Sequence, residues 1–388
     1  MIIGEFVDTY PPCVDGVGRV TYSYCQMLKS MGHEPYYIAP NAPDGEEVCD
    51  VPMLLQKSLP LPGEAYRLAL PKLDVRYRLK LDAIPFDIVH THSPFSAGEE
   101  ALRISRKLDV PLVTTFHSKY YQDFYDKTHS ELIAKEVVRH IVRFYNKCDS
   151  VWTVNNATAQ VLEDYGYHGK ILVMENGTDP VEPDPRDAEE ARRRFCKEGV
   201  PVFLFVGQHN YKKNLHGVLG SMAILRKQGQ PFHLVTAGSG PDFDAIVQEA
   251  KDLGIADACT FEGFVSDRSK LMSLYRCADL LVFPSVYDNA PMVLREAATM
   301  STPGVLVKGS CAAEGVTDEV NGFICEDESP EAIAKTILRA LPQLKTVGEK
   351  ARQTIPVHWM DIMPQVVAEY ERLIGERKSS PAKQEEDA

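Results

Sequence analysis

Short apolar runs closed by turn residues alternate along this chain with stretches whose apolar residues recur at helical spacing. The opening Ile2, Ile3 and Phe6 form one such run. After a polar loop, Val20, Tyr24, Met27, Leu28 and Met31 fall at i, i+4, i+7, i+8 and i+11, the stripe of an amphipathic helix. Further strands are predicted at residues 36–39, 88–90, 112–116, 151–154 and 171–174, with helices between them. Repeated strand–helix alternation predicts a parallel sheet covered on both faces.

Residues 179–200 interrupt the rhythm, packing three prolines and dense charge ahead of a fresh apolar strand, PVFLFVG. Such a stretch marks a domain junction. The alternation then restarts, with strands expected at 202–206, 233–237, 259–262, 280–283 and 305–307. Two similar α/β halves are therefore expected, a first domain over 1–180 and a second from 181. Residues 377–388 lack apolar content and read as a disordered tail. In open parallel sheets ligands bind beyond the carboxyl ends of the strands, so the loops that follow strands are where chemistry is sought.

Composition narrows the choice. The length of 388 residues suits two or three domains of roughly 150 residues each and excludes a small stapled fold. Lys and Arg number 42 against 55 Asp and Glu, a formal charge of −13. That balance repels nucleic acid and anionic lipid over most of the surface, so no nucleic-acid partner is expected and any anion site must be local. The nine cysteines are scattered, with no Cys-x-x-Cys pair, and read as reduced thiols. No apolar run approaches the roughly 18 to 20 residues of a membrane span. The MIIGEF start lacks a basic flank or cleavage site, so a cytoplasmic protein is expected.

Several loops carry candidate chemistry. In FVGQHNYKKNLHG a strand ends at Gly207 and a polar loop with His209, Lys212 and Lys213 leads into a helix near Asn214. Lysines beside a helix N-terminus make a phosphate cradle; solvated loop lysines are the plain alternative. In FPSVYDNAPMVLREAATM, Asp288 follows a strand, Pro291 opens a helix as its first residue, and Glu296 lies inside that helix. The loop 289–292 can offer N–H groups to an anion while the flanking carboxylates accept from sugar or ribose hydroxyls. An N-cap and a solvated helix acid would explain the two carboxylates equally simply.

Gly238, Ser239, Gly240 and Pro241 form a turn that can approach a ligand backbone first. The acids Asp242 and Asp244 read better as first-turn helix residues than as a metal site. Gly16 and Gly18 open a helix, but Thr21 stands at the third position of a dinucleotide fingerprint, which disfavours a nicotinamide enzyme.

His90, His92 and His117 lie near the ends of two neighbouring strands, and alternation points His90 and His92 the same way. A three-histidine zinc site is weighed against the lack of an evident carboxylate partner in the sequence, and no metal is expected. A polar site role for His117 and a structural one stand side by side. The stretch from Met53 to Asp82 carries Arg67, Lys72, Arg76, Arg78 and Lys80, and can lie near membrane headgroups, bind an anionic acceptor or form a solvated loop face.

Taken in order, PPCVDGVGRV, DIVHTHSPF, TTFHS, MENGTD, FVGQHNYKKN, AGSGP, FEGFV, YDNAPMVLREA, AAEGVTDEVNGF and HWMDIMPQVVAEYERLI resemble the retaining, nucleotide-sugar-dependent glycosyltransferases of family 4. The resemblance implies an α/β protein of GT-B architecture, two Rossmann-like domains facing each other across a cleft. It closes the second domain at residue 356 and returns a helix over 357–376 to the first.

The resemblance also implies an activity, transfer of a hexose from a UDP- or GDP-linked sugar to an acceptor hydroxyl as an α-glycoside, with no cofactor required. A nucleotide-sugar epimerase or hydrolase on the same scaffold and an inactive sugar-nucleotide-binding protein are the alternatives. By position, Lys213 resembles the lysine that neutralises the donor diphosphate and His117 the histidine beside the transferred sugar. Glu296 matches the acid that grips the ribose, and Asp288 stands where glutamate is usual. Gln208 stands where an arginine usually assists, with Lys212 able to compensate.

The donor-binding set implied is Gly16, Gly18, Gly207, Gln208, Lys212, Gly238, Asp288, Asn289, Ala290, Pro291, Met292, Val293 and Glu296. Lys119, Tyr120 and Tyr121 are placed on the acceptor side, where a glycan, a lipid or a small molecule would bind, with peripheral membrane association at the inner face. The resemblance implies nothing about oligomeric state.

Overall fold

The computed structural model describes residues 1–9, 16–41, 50–60, 67–179 and 181–379. The chain divides into two compact units, residues 1–176 together with the chain from Trp359 onward, and Gly177–His358. The loop at 10–15, Glu64, Pro180 and residues 380–388 lie outside the described residues.

The first unit is built on a seven-stranded sheet. Its elements are β1 (Ile2–Phe6), α1 (Gly16–Ser30), β2 (Glu34–Pro40), β3 (Met53–Gln56), β4 (Ser58–Pro60), β5 (Arg67–Ala69), α2 (Val75–Asp82), β6 (Ile88–Thr91), α3 (Ser96–Leu108), β7 (Leu112–Phe116), α4 (Tyr120–Thr128), α5 (Glu131–Tyr145), β8 (Ser150–Thr153), α6 (Asn156–Asp164) and β9 (Ile171–Val173). The order is β3-β2-β1-β6-β7-β8-β9, with every pairing parallel. All four residues of β6 and all five of β7 are buried, as a sheet covered on both faces requires. The strand order reverses direction between β1 and β6, the point where such sheets open a ligand crevice.

The second unit contains α7 (Pro185–Phe195), β10 (Val202–Val206), α8 (Leu215–Lys227), β11 (His233–Ala237), α9 (Phe243–Asp252), β12 (Cys259–Phe261), α10 (Arg268–Cys277), β13 (Leu280–Val282), α11 (Met292–Thr299), β14 (Gly304–Val307), β15 (Phe323–Cys325), α12 (Pro330–Ala340) and α13 (Leu344–Thr354). Its sheet runs β12-β11-β10-β13-β14-β15, again parallel throughout, and reverses between β10 and β13. Phe203, Leu204, Phe205, Leu234, Leu281 and Val305 fill its core, each 1% exposed or less. Both units are Rossmann-like.

The last helix, α14 (Trp359–Ser379), belongs to the first unit. It buries Trp359, Ile362, Met363, Val366, Tyr370 and Leu373, one stripe at helical spacing. Trp359 meets Tyr24 edge-on at 5.5 Å between ring centroids, and Tyr370 stacks on Trp152 at 5.6 Å. Arg377 reaches Asp109 at 3.0 Å and Asp149 at 2.6 Å. Residues 377–379, expected to start the tail, therefore continue this helix, because Arg377 has carboxylates to pair with on the unit beneath.

The predicted strands are all present, but β3, β4, β5 and β15 were not foreseen. Each is only three or four residues long, too short for a period to show. The antiparallel pair β4–β5 and the helix α2 occupy the stretch that carries the local positive charge.

Candidate active site

In the second unit the loops after β10 and β13 flank the point of strand reversal. The first passes through Gly207 and Gln208 to a short turn of 3-10 helix, Tyr211–Lys213. Asn214, in the left-handed region at φ 58°, then caps α8 by accepting from the Gly217 amide at 3.1 Å. The Asn214 side chain also donates to the Glu328 carbonyl at 2.8 Å, so the lysine-bearing turn is held at both ends.

The β11–α9 turn presses against the same loop. The Gly207 amide donates to Ala237 O at 3.0 Å, the His209 amide to Ser239 O at 3.0 Å, and the Asp242 amide to His209 O at 3.1 Å. Gly238 has φ 145°, and a Cβ there would lie 1.8 Å from the Gly207 carbonyl oxygen, so no side chain fits without moving backbone. Asp242 accepts from the Tyr211 amide at 2.9 Å. It thus braces the lysine turn, a role that spacing alone did not suggest. Between the turns, His209 is fully buried with Nε2 2.9 Å from the Thr236 hydroxyl. Burial pulls its imidazole down to about 4, so the ring is neutral.

Lys213 projects from the β10 side to the loop after β13. Its ammonium forms an ion pair with Asp288 and lies 4.9 Å from the centroid of the Tyr287 ring. Lys212 approaches that ring from 5.4 Å. Ser285 donates to the other Asp288 oxygen at 2.6 Å. Lys213 and Asp288 keep 15% and 19% side-chain exposure, so a solute can compete for the cation. Asn289, Ala290, Pro291, Met292 and Val293 follow directly. Pro291 is the N-cap of α11 rather than its first residue, with φ −67° and ψ 121°, and supplies no side-chain cap. The extended ψ, which sets the loop's exit angle, keeps it outside the helix.

Glu296 is brought into the same region by α11 but faces inward. Its carboxylate takes a 2.8 Å ion pair from Arg268 and a 2.9 Å hydrogen bond from Tyr275, and it is 1% exposed. Each carboxylate oxygen is thus already engaged by a protein side chain. Neither Arg268 nor Tyr275 was foreseen, because both sit on α10, 28 and 21 residues earlier in sequence.

In the first unit, the reading of Gly16 and Gly18 divides. A Cβ at Gly18 would fall 2.6 Å from the Thr9 hydroxyl, whereas one at Gly16 meets nothing within 4 Å. Close packing accounts for Gly18 and not for Gly16. Of the acceptor-side residues, Tyr120 is only 8% exposed, its ring packed on Phe95 and Phe116 at 5.3 and 5.7 Å. The correction is plain: Tyr120 is a core residue. Lys119 and Tyr121 remain partly exposed at the start of α4.

The three histidines do converge, and the expectation that no carboxylate accompanies them is overturned. Parallel pairing of β1 with β6 sets Glu5 opposite His90, across 85 residues of sequence. Glu5 Oε2 is 2.9 Å from His92 Nε2, and His92 Nδ1 is 3.0 Å from His117 Nε2. Tyr370 donates to Glu5 Oε1 at 3.1 Å and meets His90 Nδ1 at 2.6 Å, while His90 Nε2 meets the Thr115 hydroxyl at 2.8 Å. Glu5 and His90 are 0% exposed and His92 is 1%.

Burial pushes the Glu5 carboxyl well above the usual carboxylate range. It holds His92 down to about 3 and His90 and His117 well below the ordinary imidazole value. Glu5, His90 and His92 are the group whose potential ligand atoms converge among the described residues. Every one of those atoms already has a protein hydrogen-bond partner, which accounts for the cluster as a neutral network.

Comparison with known proteins fits this division. Residues 14–182 match the family model described as Glycosyltransferase Family 4, and residues 187–354 match Glycosyl transferases group 1. An alpha-monoglucosyldiacylglycerol synthase of Streptococcus pneumoniae is 26% identical over 353 residues, covering 88% of this chain and 78% of that protein. In fold, the chain is similar to Anabaena HepE solved with UDP and glucose, at TM-score 0.76 and 18% identity, covering 95% of this chain and 99% of that one. It is likewise similar to a sucrose-phosphate synthase from Thermosynechococcus elongatus, at TM-score 0.78 and 18% identity over 97% and 99% of the two chains. With one matched domain in each unit and a parallel sheet beneath each, the chain belongs to the GT-B glycosyltransferases of the family 4 type, enzymes that use a nucleotide sugar as donor.

Proposed function

We propose that this glycosyltransferase moves a hexose from a UDP-linked sugar to a hydroxyl of a lipid acceptor at a membrane surface, retaining configuration and forming an α-glycoside. The observation that carries the donor half is the partly exposed Lys213–Asp288 pair, which joins the loops after β10 and β13 at the strand reversal. A departing nucleoside diphosphate develops negative charge at the anomeric oxygen, and a pre-aimed cation stabilises that charge more in the transition state than in the ground state. Two phosphates outbid a single carboxylate for the ammonium, so donor binding draws Lys213 from Asp288. Asp288 is then free to accept from sugar hydroxyls, with Lys212 and the amides of 289–292 completing the diphosphate site. Gly207, Gln208 and Gly238 form the floor on which the donor rests, and Glu296 holds the ribose. His117 is assigned to a hydroxyl of the transferred sugar. Asp288 and Glu296 serve binding, with no glycosidase-type acid and nucleophile pair. UDP is preferred over GDP because the HepE fold neighbour was solved with UDP.

The acceptor half rests on α2 and the turn before it. Leu73, Val75 and Leu79 are 67–70% exposed and sit among Lys72, Arg76 and Lys80. Apolar residues rimmed by cations are what a headgroup layer accepts on a protein surface, and the S. pneumoniae relative is an alpha-monoglucosyldiacylglycerol synthase by name. Among the described residues no helix is long and apolar enough to cross a membrane.

Incubation with UDP- and GDP-hexoses and diacylglycerol in anionic vesicles, with anomeric protons followed by NMR, tests the whole reading. The expected product is an α-glycolipid from the UDP donor. Donor that is merely cleaved or isomerised, or a β-linked product, overturns it. Unaltered vesicle sedimentation of Leu73→Asp/Leu79→Asp would remove the membrane surface from the proposal.

A further inference from the structure

In the second unit α7 and α10 lie side by side and run the same way, because the start of one meets the start of the other and the two ends meet as well. At their starts, the Ser269 hydroxyl hydrogen-bonds the Asp187 carboxylate, and the Asp184 amide donates to Ser269 Oγ at 2.8 Å. At their ends, the Cys196 thiol donates to the Cys277 carbonyl oxygen at 3.6 Å. We propose that Cys196 and Cys277 are a thiol pair that a low-molecular-weight disulfide oxidises to a reversible cross-link, tying the end of α7 to the end of α10.

Both thiols stand where a helix stops. Cys196 is the C-cap of α7, its backbone extended at φ −88° and ψ 119°. Cys277 is the last residue of α10, followed by Ala278 in extended conformation. Their chain neighbours are fixed in the core: Phe195, Leu274 and Tyr275 are buried, and the Tyr275 carbonyl accepts from the Thr302 hydroxyl at 2.6 Å. Packing therefore holds the two helix ends together, while the exit from each helix lets the cysteine backbone adjust more than a mid-helix position would. The side chains touch, the two thiols sharing a hydrogen bond, and a disulfide requires such an approach, since it cannot join cysteines whose Cβ vectors point apart. The two lie 81 positions apart in sequence, so no local motif announces the pair.

The two sulfurs take different parts. Cys196 is exposed and Cys277 partly buried, so a solute disulfide reaches Cys196 first. Burial raises both thiols above the ordinary thiol value, but at Cys196 the hydrogen bond from Cys277 and the Arg192 guanidinium act in the opposite sense, with the Asp279 carboxylate adding to burial. Cys196 is thus the attacking sulfur. Its thiolate attacks one sulfur of the small disulfide RSSR, forming a Cys196–SR bond and releasing RS⁻, which takes up the proton that Cys196 lost. Cys277 then gives up its proton and attacks the Cys196 sulfur. The Cys196–SR bond breaks, the Cys196–Cys277 bond forms and a second RSH leaves. Two protein thiols are oxidised by two electrons, and the small disulfide is reduced to two thiols. The cross-link closes the span from β10 to α10 and anchors the helix whose Arg268 and Tyr275 hold Glu296.

The test uses the full chain, first reduced and then incubated in the folded state with oxidised glutathione at mildly alkaline pH. Remaining thiols are blocked with iodoacetamide in urea, and the digest is read by mass spectrometry. A peptide pair joined through Cys196 and Cys277 is expected, lost on treatment with dithiothreitol and absent from Cys196→Ser. The oxidised wild type is expected to unfold at a urea concentration about 1 M above that of the reduced protein, the scale of a cross-link that closes a long loop. Cys196→Ser, treated in the same way, is expected to show no such shift. Glutathione retained on Cys196 with Cys277 alkylated overturns the proposal, because the second sulfur then does not close the bond. Joined peptides with an unchanged urea midpoint overturn the tie between the helices. Should Cys196→Ser not fold, the wild-type peptide map and its reversal by dithiothreitol decide the matter.

Discussion

Glu5 in the first unit and Asp288 in the second are both carboxyls near the end of a sheet strand, yet they are built for opposite states. Glu5 is fully buried and surrounded by imidazoles and phenols, none of them a fixed cation, so the fold favours it uncharged. Asp288 is 19% exposed and meets the Lys213 ammonium, so the fold favours an ion pair that solvent and solutes can reach. The difference teaches that chemistry is assigned by partner and burial rather than by residue type. A neutral buried network fixes geometry, while an accessible ion pair offers a charge that a ligand can exchange.

The contrast can be broken most severely at the cation. Lys213→Ala is expected to lower kcat/KM by about 10²- to 10³-fold, the scale of losing one pre-aimed group from a developing anion, with partial recovery in Lys213→Arg. Turnover of the nucleotide-sugar donor checks it, and near-normal turnover would remove Lys213 from the leaving-group site. Next in size is the backbone that supports the lysine turn. Gly238→Ala puts a Cβ against the Gly207 carbonyl at a positive φ and is expected to destabilise the second unit by about 2–4 kcal/mol. A urea midpoint equal to wild type would contradict it.

A smaller effect is expected at Glu296, where alanine removes the carboxylate that Arg268 and the buried Tyr275 hydroxyl bond to. A loss of about 1–3 kcal/mol follows from removing that buried shared acceptor, read by urea denaturation. A stable variant that nevertheless loses donor affinity would show the carboxylate acting on the ribose alone. The fourth test sharpens the buried side. The Glu5 carboxyl is raised in the folded state, so above an unfolded value of about 4.3 the folded chain holds the extra proton. Its stability therefore declines as pH rises toward the folded value. Glu5→Gln removes that dependence, so wild type should lose stability relative to the variant by at most about 1.4 kcal/mol per pH unit. Histidines lowered in the folded state act in the opposite sense, losing stability as pH falls below about 6.5, and are common to both proteins. Parallel curves from pH 5 to 8 would show that Glu5 is not held neutral.

The loops to which the donor is assigned were legible because each is local. The loop with Lys212 and Lys213 follows one apolar run, Asp288 and Pro291 follow another, and both readings rest on residues within a few positions of a strand end. Turns held by glycine were legible at Gly238 for the same reason. Tyr120 misled because an aromatic at the start of a helix looks the same in sequence whether it points to solvent or into the core. Glu5 was passed over as one polar residue in an apolar strand, and nothing near it in sequence announces a partner.

The sequence by itself determined two α/β halves and the lysine and aspartate loops that follow strand ends, because strand and helix periods and turn chemistry are short-range properties of the chain. Only the tertiary structure decided that Glu5 meets His92, that Tyr370 closes that network and that Arg268 occupies Glu296. Those contacts are made by strand register and helix return across tens to hundreds of residues. At that range the pairing of side chains depends on which strands lie side by side, and no local pattern records it.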